Sequence, residues 1–270
     1  MIKRAIAGII YVGLIVGAIM WNQWSFVLLF IIIAALCTNE FYDLTQKAGA
    51  RPDKIVGIGM VILVFVYFFL HARSILHFDA VSAILILFFI PSLVGLLNQH
   101  NHSLLNIMVT AAAIIYIAIP IALFNFFVFD LMGKHYSPVF LLAFFVLQWI
   151  SDTGAYIIGS LVGKHKLSRK ISPNKSWEGL IGGIMLTVIA AYCMSSYTGI
   201  LYHLHWMIIG LIIAVVGTLG DLFESMIKRS VDVKDSGNIL PGHGGVLDRF
   251  DSTLFSSSAV YIYLHVFYYS

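Results

Sequence analysis

Apolar residues in this chain fall in long unbroken runs, without the alternation of a half-buried strand or the single stripe of a surface helix. The runs cover roughly 5–21, 24–38, 55–70, 80–97, 107–129, 139–162, 179–197, 206–222 and 252–269. Each is near the ~20 residues that a helix needs to cross a bilayer. Inside lipid only helices and closed barrels satisfy every backbone group, and continuous runs lack the dyad pattern of a barrel strand. The pattern predicts an all-α, polytopic integral membrane protein of about nine transmembrane helices, forming a single membrane domain over 1–270. The first run follows Met1-Ile2-Lys3-Arg4 and resembles a signal peptide, but it lacks a convincing small-residue cleavage site. Trp21-Asn22-Gln23-Trp24 then turns at once into another span, so the first run is read as a retained anchor.

Composition agrees and excludes several classes. The chain is 60% hydrophobic and 11% charged, with a mean hydropathy of +0.94. A soluble domain carries about 25% charged residues. Sixteen Lys and Arg with thirteen Asp and Glu cannot cover a water-soluble particle of 30 kDa. Disorder, a disulfide scaffold and a soluble cytosolic enzyme are thereby excluded. Cys37 and Cys193 both lie in apolar runs and read as small packing residues.

Charge across the connections sets the orientation, because cytoplasmic loops hold the excess of Lys and Arg. With the N-terminus cytoplasmic, nine spans place Lys3, Arg4, Lys47, Arg51, Lys54, Lys164, Lys166, Arg169, Lys170, Lys175, Lys228, Arg229, Lys234 and Arg249 on the inside. Only Arg73 and Lys134 fall outside. Fourteen against two supports the span count, since one span more or fewer midway would scatter these charges to both faces. The 98–106 connection offers His100 and His102 but no Lys or Arg, and bears on neither side.

Charge is also uneven along the chain. Seventeen of the 29 charged residues lie between Ser151 and Asp251, and none follows. Residues 1–150 therefore read as a helical scaffold, with Glu40 and Asp43 entering a cytoplasmic loop, and 151–252 as the cytoplasm-facing catalytic part. Within the latter, Ser151, Ala155, Gly159 and Gly163 recur every four residues and predict a helix face that another helix approaches closely. Asp152 follows an apolar run, where an acid is costly unless it faces a partner or a wet cavity, and is taken as functional. The basic stretch Lys164 to Gly179 would serve topology and anionic-lipid attraction alone. Its Ser172-Pro173 turn and the helix opening at Lys175, Ser176, Glu178 and Gly179 add a candidate phosphate site.

The segment from Gly220 to Ser252 is the most specific. At about 100° per residue, Asp221, Glu224, Ser225 and Lys228 share one arc of a helix. The run Pro241-Gly242-His243-Gly244-Gly245 can bring backbone amides against an anion. Asp248 and Asp251, three apart, can meet on one face of the last helix, whereas Asp232 and Lys234 read as a solvated ion pair. Acids set among cations and glycines suit a metal–nucleotide complex, in which carboxylates hold Mg²⁺ and the metal and Lys or Arg hold polyphosphate. His243 has no second His at helical spacing and argues poorly for zinc. No Gly-x4-Gly-Lys-Ser/Thr run marks a P-loop.

Residues Ser225 to Asp251, with S-M-I-K-R followed by K-D-S-G-N-I-L-P-G-H-G-G-V-L-D-R-F-D, resemble the signature of the phosphatidate cytidylyltransferase (CDP-diacylglycerol synthase) family at every required position. The S-D-T-G-A-Y stretch from Ser151 and the S-P-N-K-S-W-E-G stretch from Ser172 resemble its upstream motifs. The first 150 residues match only in character, apart from Asn39-Glu40-Phe41-Tyr42. The resemblance implies a nine-helix build and transfer of CMP from CTP to phosphatidic acid, giving CDP-diacylglycerol and pyrophosphate, with Mg²⁺ required. It implies metal ligation by Asp221 and Asp248, with K⁺ as a candidate second ion.

Asp251 and Asp152 are then expected around that metal or at a second ion. Lys175, Lys228 and Arg249 are expected on phosphates, with Arg229, Lys234, Asp235 and His243 completing the catalytic signature. Ser172, Ser225, Gly244 and Gly245 join Lys175 as candidate nucleotide contacts. The expected partners are CTP, phosphatidic acid from the bilayer and membrane lipid; no nucleic acid is expected, and a homodimer is the candidate assembly. Short ends without a targeting segment point to a bacterial inner membrane with the site facing the cytoplasm. A secondary transporter is the competing reading. It requires acids near the bilayer midplane and mirrored halves, which this sequence does not display. An inactive membrane scaffold leaves the glycine loop and its acids unexplained.

Overall fold

The computed structural model describes residues 2–76, 89, 93, 104–129, 135–239 and 244–268, with side chains from Gly8 onward. Its residues group into two compact units, 1–136 with 230–249 and 137–229 with 250–270. Six helices are long and apolar enough to cross a membrane.

The first unit opens with α1 (Ile2–Trp21) and α2 (Gln23–Lys47). Only Asn22 separates them, and it does so by capping. Its carboxamide oxygen accepts from the amides of Trp24 and Ser25, while the Ser25 hydroxyl accepts from the Asn22 amide, closing a capping box. Helix α2 continues well past the expected end of its span. Glu40 and Asp43 therefore stand on a helix and not in a loop, and Glu40 is buried. Helix α3 (Lys54–Ala72) starts at Asp53, whose carboxylate accepts from the Val56 amide at 3.1 Å. A Cβ at Gly57 would overlap the Tyr42 phenol, and that phenol donates to the Thr110 carbonyl at 2.8 Å.

Helix α4 (Leu104–Ala113) runs on through a π-helical turn, Ile114–Ala118, and two short helical pieces, Ile119–Ala122 and Asn125–Val128. Pro120 explains the irregularity, because its ring lacks an amide hydrogen and crowds the carbonyl one turn back. Phe26, Phe30, Phe65 and Phe124 fill the core of this unit. The fourth expected span, 80–97, lies outside the described residues except for 89 and 93.

The second unit holds α5 (Val139–Val162), a hairpin of β1 (Lys166–Ser168) and β2 (Ser172–Ser176), α6 (Trp177–Thr198), most of α7 (His203–Ser230) and most of α8 (Leu247–Phe267). The small-residue face predicted on α5 is where α6 lies. A Cβ at Gly179 would stand 2.7 Å from the Ala155 carbonyl oxygen and 3.0 Å from the Gly159 Cα, and one at Gly183 3.0 Å from the Ser151 carbonyl oxygen. Backbones meet that closely only where side chains are absent. The hairpin was not foreseen. The reversal falls at Arg169–Ile171, and Pro173 lies in β2, where a two-stranded ribbon leaves room for a residue without an amide hydrogen.

Helix α7 has 28 residues, about 42 Å at about 1.5 Å each, and exceeds the ~30 Å hydrocarbon core. Its C-terminal turns, with Asp221 to Arg229, can thus project beyond the apolar layer. Helix α8 begins five residues before the expected span, so Asp248 and Asp251 both lie in its first turns.

Candidate active site

The expected chemical residues fall into two clusters, one in each unit. In the second unit, Asp152 stands on α5, Lys175 on β2, Asp221 to Arg229 on α7 and Asp251 on α8. Lys175 forms an ion pair with Asp221, whose other oxygen accepts from the Ser225 hydroxyl at 3.2 Å. One turn further on, the buried Glu224 pairs with Lys228 at 2.5 Å. Asp251 lies within electrostatic reach of Asp221, Asp152 and Lys228. The helical spacing had placed Asp221, Glu224, Ser225 and Lys228 on one arc, and these contacts agree.

Two members of this cluster escaped the sequence reading. Gln148, buried on α5, donates to Asp152 at 3.2 Å and accepts from the Ser256 hydroxyl at 2.9 Å. Both interrupt apolar runs, which was their only available signal. Gly217 lets α7 approach this amide, since a Cβ there would be 3.0 Å from Gln148 Nε2.

The basic hairpin is fixed at its base. The Glu178 carboxylate accepts from the amides of Lys164 and His165 at 3.2 Å and meets the His165 ring at 2.6 Å. Ser176 caps α6 by accepting from the Gly179 amide at 3.1 Å. That amide, expected to favour a phosphate, therefore already holds its own cap. Ser172 sits in β2 opposite Ser168, and Lys175 is brought to Asp221.

In the first unit, Ser236 and Gly245 to Leu247 of the signature surround two carboxylates. Asp248 Oδ2 accepts from the Ser236 amide at 2.9 Å, the Ser236 hydroxyl at 3.0 Å and the Gly245 amide at 2.7 Å. Glu40, 2% exposed, accepts from the Ser236 hydroxyl at 2.9 Å and from the amides of Val246 and Leu247 at 2.9 and 2.8 Å. The glycine segment was expected to turn bare amides toward an anion. For Gly245, Val246 and Leu247, the anions are the chain's own carboxylates. Gly244 adopts φ +83°, a left-handed conformation that glycine tolerates, and a Cβ there would press on Asp248.

Lys234, Asp235 and Arg249 also belong to the first unit, while Arg229, in the last turn of α7, belongs to the second. His243, with 240–242, lies outside the described residues. Asp221 and Asp248 stand in different units.

The candidate metal donors in both clusters are oxygens, carboxylates and hydroxyls with the Gln148 amide in the second unit. This hard donor set fits Mg²⁺ or K⁺ and does not fit zinc or copper. Among the described residues no three His, Cys, Asp or Glu form a ready-made cage. Mg²⁺ needs none, since it is commonly bound by one or two carboxylates with water and substrate phosphates.

Helices long and apolar enough to cross a membrane, with acids and lysines paired on and beside them, mark an integral membrane protein whose side chains suit phosphate chemistry. The chain matches the cytidylyltransferase family over residues 2–267 and belongs to it. It is 34% identical over 227 residues to the phosphatidate cytidylyltransferase of Staphylococcus aureus (strain COL), covering 83% of this chain and 84% of that one. The phosphatidate cytidylyltransferase of Bacillus subtilis (strain 168) is 33% identical over 241 residues, 88% of each chain. That of Staphylococcus saprophyticus is 50% identical over 125 residues, 46% of each.

Proposed function

We propose that this chain is a phosphatidate cytidylyltransferase, transferring CMP from CTP to phosphatidic acid and giving CDP-diacylglycerol and pyrophosphate. The match to the family over nearly the whole chain and the relatives named phosphatidate cytidylyltransferase carry this reading, and Lys175 at Asp221 and Gly245 at Asp248 support it. In the reaction a phosphate oxygen of phosphatidic acid bonds to the α-phosphorus of CTP. The bond from that phosphorus to the oxygen leading to the β-phosphate breaks, and pyrophosphate leaves. The attacking group is already an anion, so no strong general base is needed, and positioning with charge neutralisation suffices.

Asp221 and Asp248 are assigned to Mg²⁺, with Asp152 and Asp251 beside it or at a K⁺ site. When bound, Mg²⁺ neutralises phosphate charge and polarises the reacting phosphoryl group. Lys175, Lys228 and Arg249 are assigned to phosphates. The Lys175 ammonium beside Asp221 supports this, because polyphosphate can bridge a lysine and a carboxylate-held cation. Ser172, Ser225, Gly244 and Gly245 remain candidate nucleotide contacts, and Arg229, Lys234, Asp235 and His243 candidate catalytic groups of the signature.

The nine-span topology with a cytoplasmic N-terminus belongs to the same proposal. Fourteen inside against two outside cations support it, and it gives lipid access from the bilayer and nucleotide access from the cytoplasm of a bacterial inner membrane. The transporter alternative finds no support in relatives named as cytidylyltransferases. Purified protein given labelled CTP, phosphatidic acid and Mg²⁺ should form a labelled liponucleotide. No product, or product formed without phosphatidic acid, overturns the reading.

A further inference from the structure

Glu40 is assigned no part in the reaction above, yet among the described acids of the first unit it alone is buried. It sits on α2, 2% exposed, and accepts three hydrogen bonds from residues 196 to 207 positions later. Taking a carboxylate out of water is costly, and good hydrogen-bond geometry must offset it. Here the offset is specific. Two of the donors are the amides of Val246 and Leu247, at the start of α8, where the first amides have no partner within the helix.

The third donor is the Ser236 hydroxyl, which stands 2.9 Å from Glu40 Oε2 and 3.0 Å from Asp248 Oδ2. A hydroxyl has one hydrogen, so the two carboxylates share it, as a three-centre bond or one acceptor at a time. Ser236 and Gly245 also give their amides to Asp248. Glu40 thus fixes the two backbone positions that immediately precede Asp248 and the hydroxyl that touches it. The fit is close: a Cβ at Gly237 or at Gly245 would strike the Glu40 carboxylate.

We propose that Glu40 is a positioning residue, whose buried carboxylate clamps Ser236, Val246 and Leu247 and thereby orients the Asp248 carboxylate for its divalent ion. The inference rests on the reading of Asp248 as a metal ligand. Groups that hold a ligand in place commonly govern affinity by about 10- to 100-fold when lost. Glu40→Gln keeps the shape but turns one acceptor into a donor facing donors, and Ser236→Ala removes only the shared hydroxyl.

The test uses the full chain in nanodiscs, with Mn²⁺ binding followed by paramagnetic resonance and amide exchange followed across 244–250. Glu40→Gln should weaken Mn²⁺ about 10-fold or more, speed exchange at Gly245, Val246 and Leu247, and raise the Mg²⁺ concentration for half-maximal turnover more than it alters the KM for CTP. Asp248→Asn should abolish Mn²⁺ binding. If Asp248→Asn abolishes it while Glu40→Gln binds Mn²⁺ as the wild type does, the clamp is overturned and the ligand reading stands. If Asp248→Asn binds Mn²⁺ normally, the ligand reading fails and the clamp with it. Should Glu40→Gln not fold, Ser236→Ala decides: weaker Mn²⁺ binding supports the clamp, and unchanged binding overturns it.

Discussion

At the residue scale, the pairing of Lys175 with Asp221 separates two roles for the basic hairpin. If the hairpin served only to attract anionic lipid, its lysines would be interchangeable. Lys175→Ala should lower turnover at least about ten-fold, as loss of a phosphate-stabilising cation does, whereas changing the exposed Lys166 of β1 to Ala should alter it less than about two-fold, as a surface substitution does. Equal, small effects in steady-state assays would return the hairpin to a topological role. Asp221→Asn and Asp248→Asn should each abolish turnover with helix content unchanged by circular dichroism. If the two hold one ion, as proposed, the double variant should lose no more than either one. Near-normal turnover of Asp221→Asn at saturating Mg²⁺ would remove that assignment. Motif spacing made Asp221, Ser225, Asp248 and Lys175 legible as candidates. Glu40, Gln148 and Ser256 were not, since their meaning comes from partners between 108 and 207 residues away.

At the element scale, the contact of α5 with α6 rests on missing side chains. A methyl at Gly179 would meet only backbone atoms within 3.0 Å, from the Ala155 carbonyl and Gly159, and those cannot turn aside. Gly179→Ala should therefore destabilise by about 1–3 kcal/mol, the usual cost of overpacking, read as a lower unfolding temperature in detergent. Gly59→Ala on α3 meets nothing within 4 Å and should leave that temperature unchanged or slightly higher. A reversed order would show that the α5–α6 contact is not what holds this unit. The four-residue recurrence of small side chains foretold this interface, because i and i+4 positions lie one above the other on a helix. The hairpin was not foretold, since a charged run of eleven residues has no period that distinguishes a strap from a loop.

At the scale of the whole molecule, orientation follows from the charge of the connections. In a background with Cys37 and Cys193 replaced, a cysteine at 73 or at the exposed Ser74 should react with an impermeant maleimide added outside intact cells. Cysteines at 170 and 234 should react only after the membrane is opened. Labelling of 170 or 234 from outside would refute nine spans with a cytoplasmic N-terminus.

Helical membrane-crossing architecture was determined by the sequence alone, because lipid allows so few backbone solutions that the length of an apolar run selects one. Six of the expected spans reappear as long apolar helices, the sixth with the bounds Val139–Val162. Family membership was equally legible, since a dense motif is a local property of the chain. Tertiary structure alone decided where the helices stop and which groups answer the buried charges. Apolar periodicity ends at the edge of the lipid-facing segment, but α2 and α7 continue for turns beyond it. The acid–amide contacts on the signature depend on Glu40 of α2 meeting Ser236, Val246 and Leu247 in space, and a carboxylate's partner there is chosen by distance, which sequence order does not encode.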